Sequence, residues 1–230
     1  MNILADWFPA AFLYSGNIVL ALLLAAAFRP TAHSIRRRPQ AAGVVLCLFA
    51  LLWTLRAVLG QGSMTGIGYH LLGISLGSLM VGRCAVLWLA ASVMLPHMLL
   101  TGESGQLPAY GLNVLLTCLP ALAVAGAAQA VCRRLPKNLF VYIFINGFFA
   151  SALSMLAAGA AFTYLLSHSS AFADFPIWQH SFPVFFLLAW AEAFLSGLFA
   201  AVFVALKPRL LCNFDDAVYL RRQNHIWPSD

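Results

Sequence analysis

Charge is what this sequence has least of. Its 230 residues are 9% charged, against roughly 25% in soluble domains. A water-facing surface cannot be built from so few ions, so a soluble globular enzyme, a disordered chain and a soluble nucleic-acid binder are all excluded. A P-loop and a zinc-protease motif are missing too. There is no GxxxxGK[ST] loop for ATP phosphates and no HExxH zinc pair,. No GxSxG nucleophile accompanies an inward-facing base,. The five cysteines, Cys47, Cys84, Cys118, Cys132 and Cys212, have no CxxC spacing, which argues against a thiolate metal site. None falls in an expected outer loop, so no structural disulfide is expected. The N-terminus has no basic region before its first apolar run, only Asp6, and does not read as a cleaved signal peptide.

What is present is apolar length. Hydrophobic residues are 62% of the chain, and a helix needs about 20 mostly apolar residues to cross a bilayer. Seven stretches fit: 9–28, 41–59, 64–82, 84–101, 110–132, 138–166 and 181–206. Runs such as Ile18–Leu24 do not alternate, which excludes a membrane β-barrel. The expected fold is therefore an all-α polytopic bundle of seven transmembrane helices, spanning residues 1–206. The remaining 207–230 form a cytoplasmic tail. Its Leu210, Leu211, Phe214 and Val218 lie at helical spacing among basic residues, with Trp227 beyond, and read as an interfacial amphipathic helix,.

The basic residues set the orientation. With seven spans, Arg29, Arg36, Arg37, Arg38, Arg83, Arg133, Arg134, Lys137, Lys207, Arg209, Arg221 and Arg222 share one side, leaving only Arg56. By the positive-inside rule the N-terminus is outside and the C-terminus cytoplasmic. The net charge of +6 is accounted for by topology, without a nucleic-acid partner.

Against this background the few polar residues in the spans stand out. Span three carries Gly66, His70, Gly73 and Gly77 on one helical stripe. Small residues there allow close helix packing, whereas an intramembrane histidine is a functional candidate. His97 follows Pro96 in span four. At about 1.5 Å per residue, His70 and His97 are expected at depths of about 9 and about 6 Å from the outer face. Asn113 lies just inside span five. The three outline an outward-facing site for a small ligand or metal, with two histidines bonded to neighbouring helices as the plainer alternative. Glu192 is the acidic residue deep within a span, beside Ser196 and the small residues Ala189, Ala193, Gly197 and Ala200. It reads as a proton or cation relay or as a hydrogen-bonded packing element. His168 and His180 flank an outer loop with Asp174 and Trp178, and His33 and His225 read as surface residues.

Several of these segments resemble a known family. Ser63–His70, continuing through Gly73, Leu76–Gly77 and Gly82, is similar to the histidine- and glycine-rich span of the CbiM/NikM substrate-binding membrane proteins of energy-coupling-factor cobalt and nickel transporters. Leu107–Asn113 resembles the family's LTxLGxN segment, Glu192–Gly197 its EAxxTG segment, and Met1–Ile3 with Phe8–Pro9 its MHI…P start. The resemblance implies seven helices with the N-terminus outside, a bacterial cytoplasmic (inner) membrane location, no enzymatic activity, and no permanently bound cofactor. It implies Co(II) or Ni(II) as cargo, held by nitrogens at the positions of Met1, Asn2 and His70. Partners would be two cytoplasmic ATPases and a transmembrane coupling subunit. Asn2 departs from the pattern, because an amide replaces an imidazole. His97 is then a candidate to replace the missing ligand, or the cargo is copper, zinc or another small solute. A non-transporting membrane scaffold is the remaining alternative.

Overall fold

The computed structural model describes residues 3–55, 57–58, 66–100, 104–215 and 219. Met1, Asn2, Arg56, Ser63, Val218, Arg221, Arg222, His225 and Trp227 thus lie outside the described residues. Eight α-helices are present among those described: α1 Ala10–Arg37, α2 Pro39–Thr54, α3 Ile74–Val81, α4 Arg83–Leu100, α5 Tyr110–Arg134, α6 Leu139–Tyr142, α7 Ala150–Ser167 and α8 Ile177–Leu206. A π-helical segment, Ile143–Phe149, joins α6 to α7 in one continuous rod. Two-residue strands β1 (Ala57–Val58) and β2 (Gly68–Tyr69) form a small antiparallel ribbon. The fold is all-α apart from that ribbon, and five helices are long and apolar enough to cross a membrane.

Three expectations need correction. The first basic loop, expected at 29–40, is mostly helix. α1 runs to Arg37 and α2 begins at Pro39. Arg36 and Arg37 in the last turn favour the negative end of the α1 dipole,, while Pro39 at the first position of α2 loses no intrahelical bond,. Secondly, the expected outer loop 167–180 is shortened, because α8 starts at Ile177 and takes in Trp178 and His180.

The third correction concerns span three. It is not a continuous helix over 64–82. The chain enters as β2, turns through His70–Gly73, and only then forms the eight-residue α3. Gly73 and Gly82, at φ +68° and +84°, bracket α3. Residues with a Cβ avoid this left-handed region. A Cβ at Gly73 would also come within 2.9 Å of Leu52 Cδ1. The stripe of Gly66, His70, Gly73 and Gly77 is therefore not a helix face, and a depth for His70 counted in helical residues does not apply.

Non-helical backbone at membrane depth is tolerated only where protein covers it. Here Ile67–His70 and every residue of α3 are buried. α3 is the hub: it packs against α2, α4, α5, α7, α8 and the π segment. At about 12 Å long, it ends inside the protein, and other elements meet carbonyls of its last turn. Ser34 Oγ of α1 donates to the Val81 carbonyl at 2.5 Å. The Cys212 amide donates to the Leu79 carbonyl at 2.7 Å.

Of the tail residues expected on one amphipathic helix, Val218 and Trp227 lie outside the described residues, and Leu210, Leu211 and Phe214 are not on an α-helix. Pro208–Leu210 is a single 3-10 turn, and Leu211 and Phe214 are buried in the protein. Arg38 Nη1 pins this segment by donating to the carbonyls of Arg209 (2.8 Å) and Leu211 (3.2 Å). Phe214 and Tyr219 stack on each other and pack edge-on against Tyr142. Burial pushes the Cys212 thiol above its usual range, opposed by the nearby Arg38 charge. Release of the tail removes the larger of these effects. Arg38→Gln is therefore expected to speed maleimide alkylation of Cys212 near neutral pH several-fold, read by mass spectrometry. An unchanged rate would mean the tail stays docked without Arg38.

Candidate functional site

Three remote contacts gather one half of the interior. The first is at Glu192, which is 2% exposed on α8. Its Oε2 accepts the Leu72 amide and its Oε1 the Gly73 amide, both at 2.8 Å. These are the donors that the break before α3 leaves without intrahelical partners. Glu192 is thus engaged by backbone on both oxygens, as expected of a hydrogen-bonded structural carboxylate. Its small-residue face is used as well: a Cβ on Gly147 of the π segment would lie 3.0 Å from Ala200 and 3.2 Å from the Gly197 backbone.

The second contact involves Asn113, at the start of α5. Its Oδ1 accepts the Ile3 amide at 2.6 Å and its Nδ2 donates to the Ile3 carbonyl at 3.1 Å. One side chain thereby grips both backbone groups of Ile3, which is fully buried. The Gln106 side chain accepts the Ala5 amide. Ser169 Oγ donates to the Trp7 carbonyl at 2.8 Å. The N-terminal segment is therefore folded inward. Leu4 and Trp7 also pack on Gly66, where a Cβ would lie 3.0 and 3.7 Å from them. This places the N-terminal segment directly on the stretch that leads to His70.

The third contact is Trp53 of α2, a residue that nothing in its apolar run singles out. Its indole N–H donates to the Leu72 carbonyl at 3.2 Å. Its ring lies 5.7 Å from that of His70, and its carbonyl accepts His97 Nε2 at 3.1 Å. His70 and His97 are thus both brought to Trp53, from different sides. His70 is buried, 7% exposed, with Nδ1 2.8 Å from the Leu71 carbonyl. In a neutral ring that bond holds the proton on Nδ1, the tautomer common among metal-ligating histidines. His97 Nε2 is instead spent on a backbone carbonyl. Tyr69 donates to Ser181 at 3.1 Å and closes the other flank of the loop.

Other sequence candidates stay apart. His168 and His180 each bond a carbonyl four residues earlier, Tyr164 and Pro176. Asn17 was a missed polar residue within span one. Its amide donates to the Pro108 carbonyl and accepts the Gly111 amide, both at 2.8 Å. Gly111 allows this approach, since a Cβ there would sit 2.6 Å from the Asn17 backbone. Among the described residues no three His, Cys, Asp or Glu side chains gather as a metal-ligand set. Two of the four sequence-expected metal positions, Met1 and Asn2, lie outside them.

A bundle with five helices long and apolar enough to cross a membrane, a buried histidine loop and an N-terminal segment tucked against that loop defines the class: a polytopic membrane component. The chain belongs to the CbiM family, described as the cobalt uptake substrate-specific transmembrane region, whose model matches residues 2–210. It is accordingly a membrane component of cobalt uptake systems, a transport family rather than an enzyme family. No curated protein matches the chain.

Removal of the Glu192 carboxylate would leave two buried amides unpaired, at about 1–3 kcal/mol each. Glu192→Ala is therefore expected to lower the Tm of the detergent-purified protein by at least several degrees, measured by intrinsic fluorescence. A Tm at the wild-type value would show that the loop before α3 does not depend on this clamp.

Proposed function

We propose that this chain is the substrate-binding membrane subunit of an energy-coupling-factor type importer for a divalent transition-metal ion, Co(II) or Ni(II). It crosses a bacterial cytoplasmic membrane seven times, with α2 and the broken segment β2–α3 counted as crossings, its N-terminus outside and C-terminus inside. The basic residues at 29–38, 133–137 and 207–209 support that orientation,. The observation that carries the reading is the grip of Asn113 on Ile3. It holds Ile3 in the same interior as the His70 loop, which supports a ligand set that begins at Met1 and Asn2.

In this reading the amine and backbone nitrogen at Met1 and Asn2 join His70 Nε2 around the metal. Nitrogen donors of this kind suit Ni(II) and its neighbours. The fourth donor is the weak point, since Asn2 offers an amide. His97 supplies it only by exchanging its bond to the Trp53 carbonyl for the metal. The chain has no nucleotide motif of the P-loop kind, so energy comes from separate cytoplasmic ATPases acting through a transmembrane coupling subunit.

A second reading rests on Asn2 itself: the same fold with its cargo changed to copper, zinc or another small solute. Calorimetric titration of the purified chain separates the two. On the first reading His70→Ala abolishes high-affinity Co(II) and Ni(II) binding, His97→Ala weakens it about tenfold, and Asn2→His strengthens it. Equal binding by wild type, His70→Ala and His97→Ala would overturn a two-histidine site. A wild type that ignores Co(II) and Ni(II) but binds Cu(II) or Zn(II) would favour the second.

A further inference from the structure

Where α1 hands over to α2, the end of α8 and the start of the tail come up beside the corner. The cleft between them, of about 580 Å³, is lined by Arg37, Arg38, Lys207 and Arg209, with Leu206 and Leu210 in its wall. Among the described residues no carboxylate lines it, and Asp215 belongs to a neighbouring hollow. Like charges held together without a counter-ion repel, and more strongly where the dielectric falls. The positive-inside rule asks these residues only to share one side of the membrane. It does not ask the ends of α1 and α8 to bring them to a single cleft.

The cleft is built rather than scattered. Arg38 Nη1 donates to the carbonyls of Arg209 and Leu211, which ties the corner after α1 to the turn after α8. A guanidinium has more N–H donors than these two bonds use. Arg37, Lys207 and Arg209 are exposed, so their charges are open to a ligand. The apolar wall has a place of its own. Leu206 is the last residue of α8 and is 75% exposed, where a membrane-crossing helix leaves the hydrocarbon. Cations beside an apolar wall at that level suit an amphiphile with an anionic head. A free phosphate ion would use the cations alone.

We propose that this cleft is a binding site for the phosphate of an anionic phospholipid of the cytoplasmic leaflet, whose acyl chains pass Leu206 into the bilayer. Basic pockets at the cytoplasmic ends of spans take anionic headgroups in this way. The phosphate accepts hydrogen bonds from Arg37, Arg38, Lys207 and Arg209 and relieves their mutual repulsion. It thereby fastens the corner between α1 and α2 to the docked tail. The site goes beyond the metal-transport reading and does not depend on which cargo the chain carries.

The test is native mass spectrometry of the full chain in mixed detergent micelles, with phosphatidylglycerol or phosphatidylcholine added in equal amounts. The wild type is expected to retain phosphatidylglycerol in preference to phosphatidylcholine, and inorganic phosphate is expected not to displace it. The double variant Arg37→Gln/Lys207→Gln is expected to weaken phosphatidylglycerol binding about tenfold or more. Arg37→Lys/Lys207→Arg, which keeps both charges, is expected to retain the lipid. The matched pair Arg133→Gln/Arg134→Gln removes the same charge from the end of α5, outside the cleft, and is expected to bind as the wild type does. Phosphatidylglycerol is also expected to raise the Tm of the wild type, read by intrinsic fluorescence, and not that of Arg37→Gln/Lys207→Gln. Equal retention of the two lipids by the wild type overturns the site, and this comparison needs no variant to fold. Equal losses in the two glutamine pairs overturn it too, because the attraction is then diffuse. Displacement by inorganic phosphate overturns the lipid as the occupant.

Discussion

Two hydrogen bonds from Leu72 and Gly73 to the Glu192 carboxylate make a broken span possible in this bundle. A membrane interior offers no water to unpaired amides. A chain that stops being helical at mid-depth must therefore find acceptors from another element. A carboxylate with two oxygens aimed at two consecutive amides is a compact solution, and α8 is rigid enough to hold it there. The same break gives His70 its setting. Were 66–81 a continuous helix, its backbone would bond to itself and the histidine would be one side chain on a rod. As an extended loop, it carries a carbonyl at Leu71 that can fix the imidazole tautomer and one at Leu72 that Trp53 can hold.

The opposite end of α3 obeys the same requirement with different means. Its carbonyls are met by Ser34 from α1 and the Cys212 amide from the tail. An eight-residue helix is thus held at one end by α8 and at the other by α1 and the chain's last described segment. This is why the tail, rich in apolar residues at helical spacing, is drawn inward rather than laid on lipid. Leu211 and Phe214 gain burial, and Cys212 gains a carbonyl that would otherwise face an apolar interior unpaired.

Much of this was legible in composition and little of it in periodicity. Apolar runs gave the helical class and the approximate positions of α1, α4, α5, α8 and the rod from α6 to α7, because burial in lipid demands long uniform segments. Glu192, His70 and Asn113 were legible because ionisable and amide groups are rare in such segments. The break in span three was not. Its glycines fit a packing stripe as well as they fit turns, and only the left-handed φ at Gly73 and Gly82 distinguishes the two. Trp53 was hidden for a related reason. Its role depends on an indole N–H and a main-chain carbonyl meeting Leu72 and His97, both remote in sequence, and an apolar run containing a tryptophan looks like any other.

The partners of each interior polar group sort them by role. Glu192, Asn113, Asn17 and Ser34 spend their capacity on backbone groups that the fold leaves unpaired, so their removal is felt first as lost structure. Among the described residues Tyr142 Oη and Asn146 Oδ1 have no hydrogen-bond partner, while the Tyr142 ring packs against Phe214 and Tyr219. His70 stands between the two sets. One ring nitrogen is committed to the Leu71 carbonyl, and that commitment orients the other. A polar group held at one end by the scaffold is already oriented, which is one part of preorganisation. His70 is oriented through the Leu71 carbonyl, and His97 through the carbonyl of Trp53, so two imidazoles reach the same tryptophan with their rings fixed by backbone.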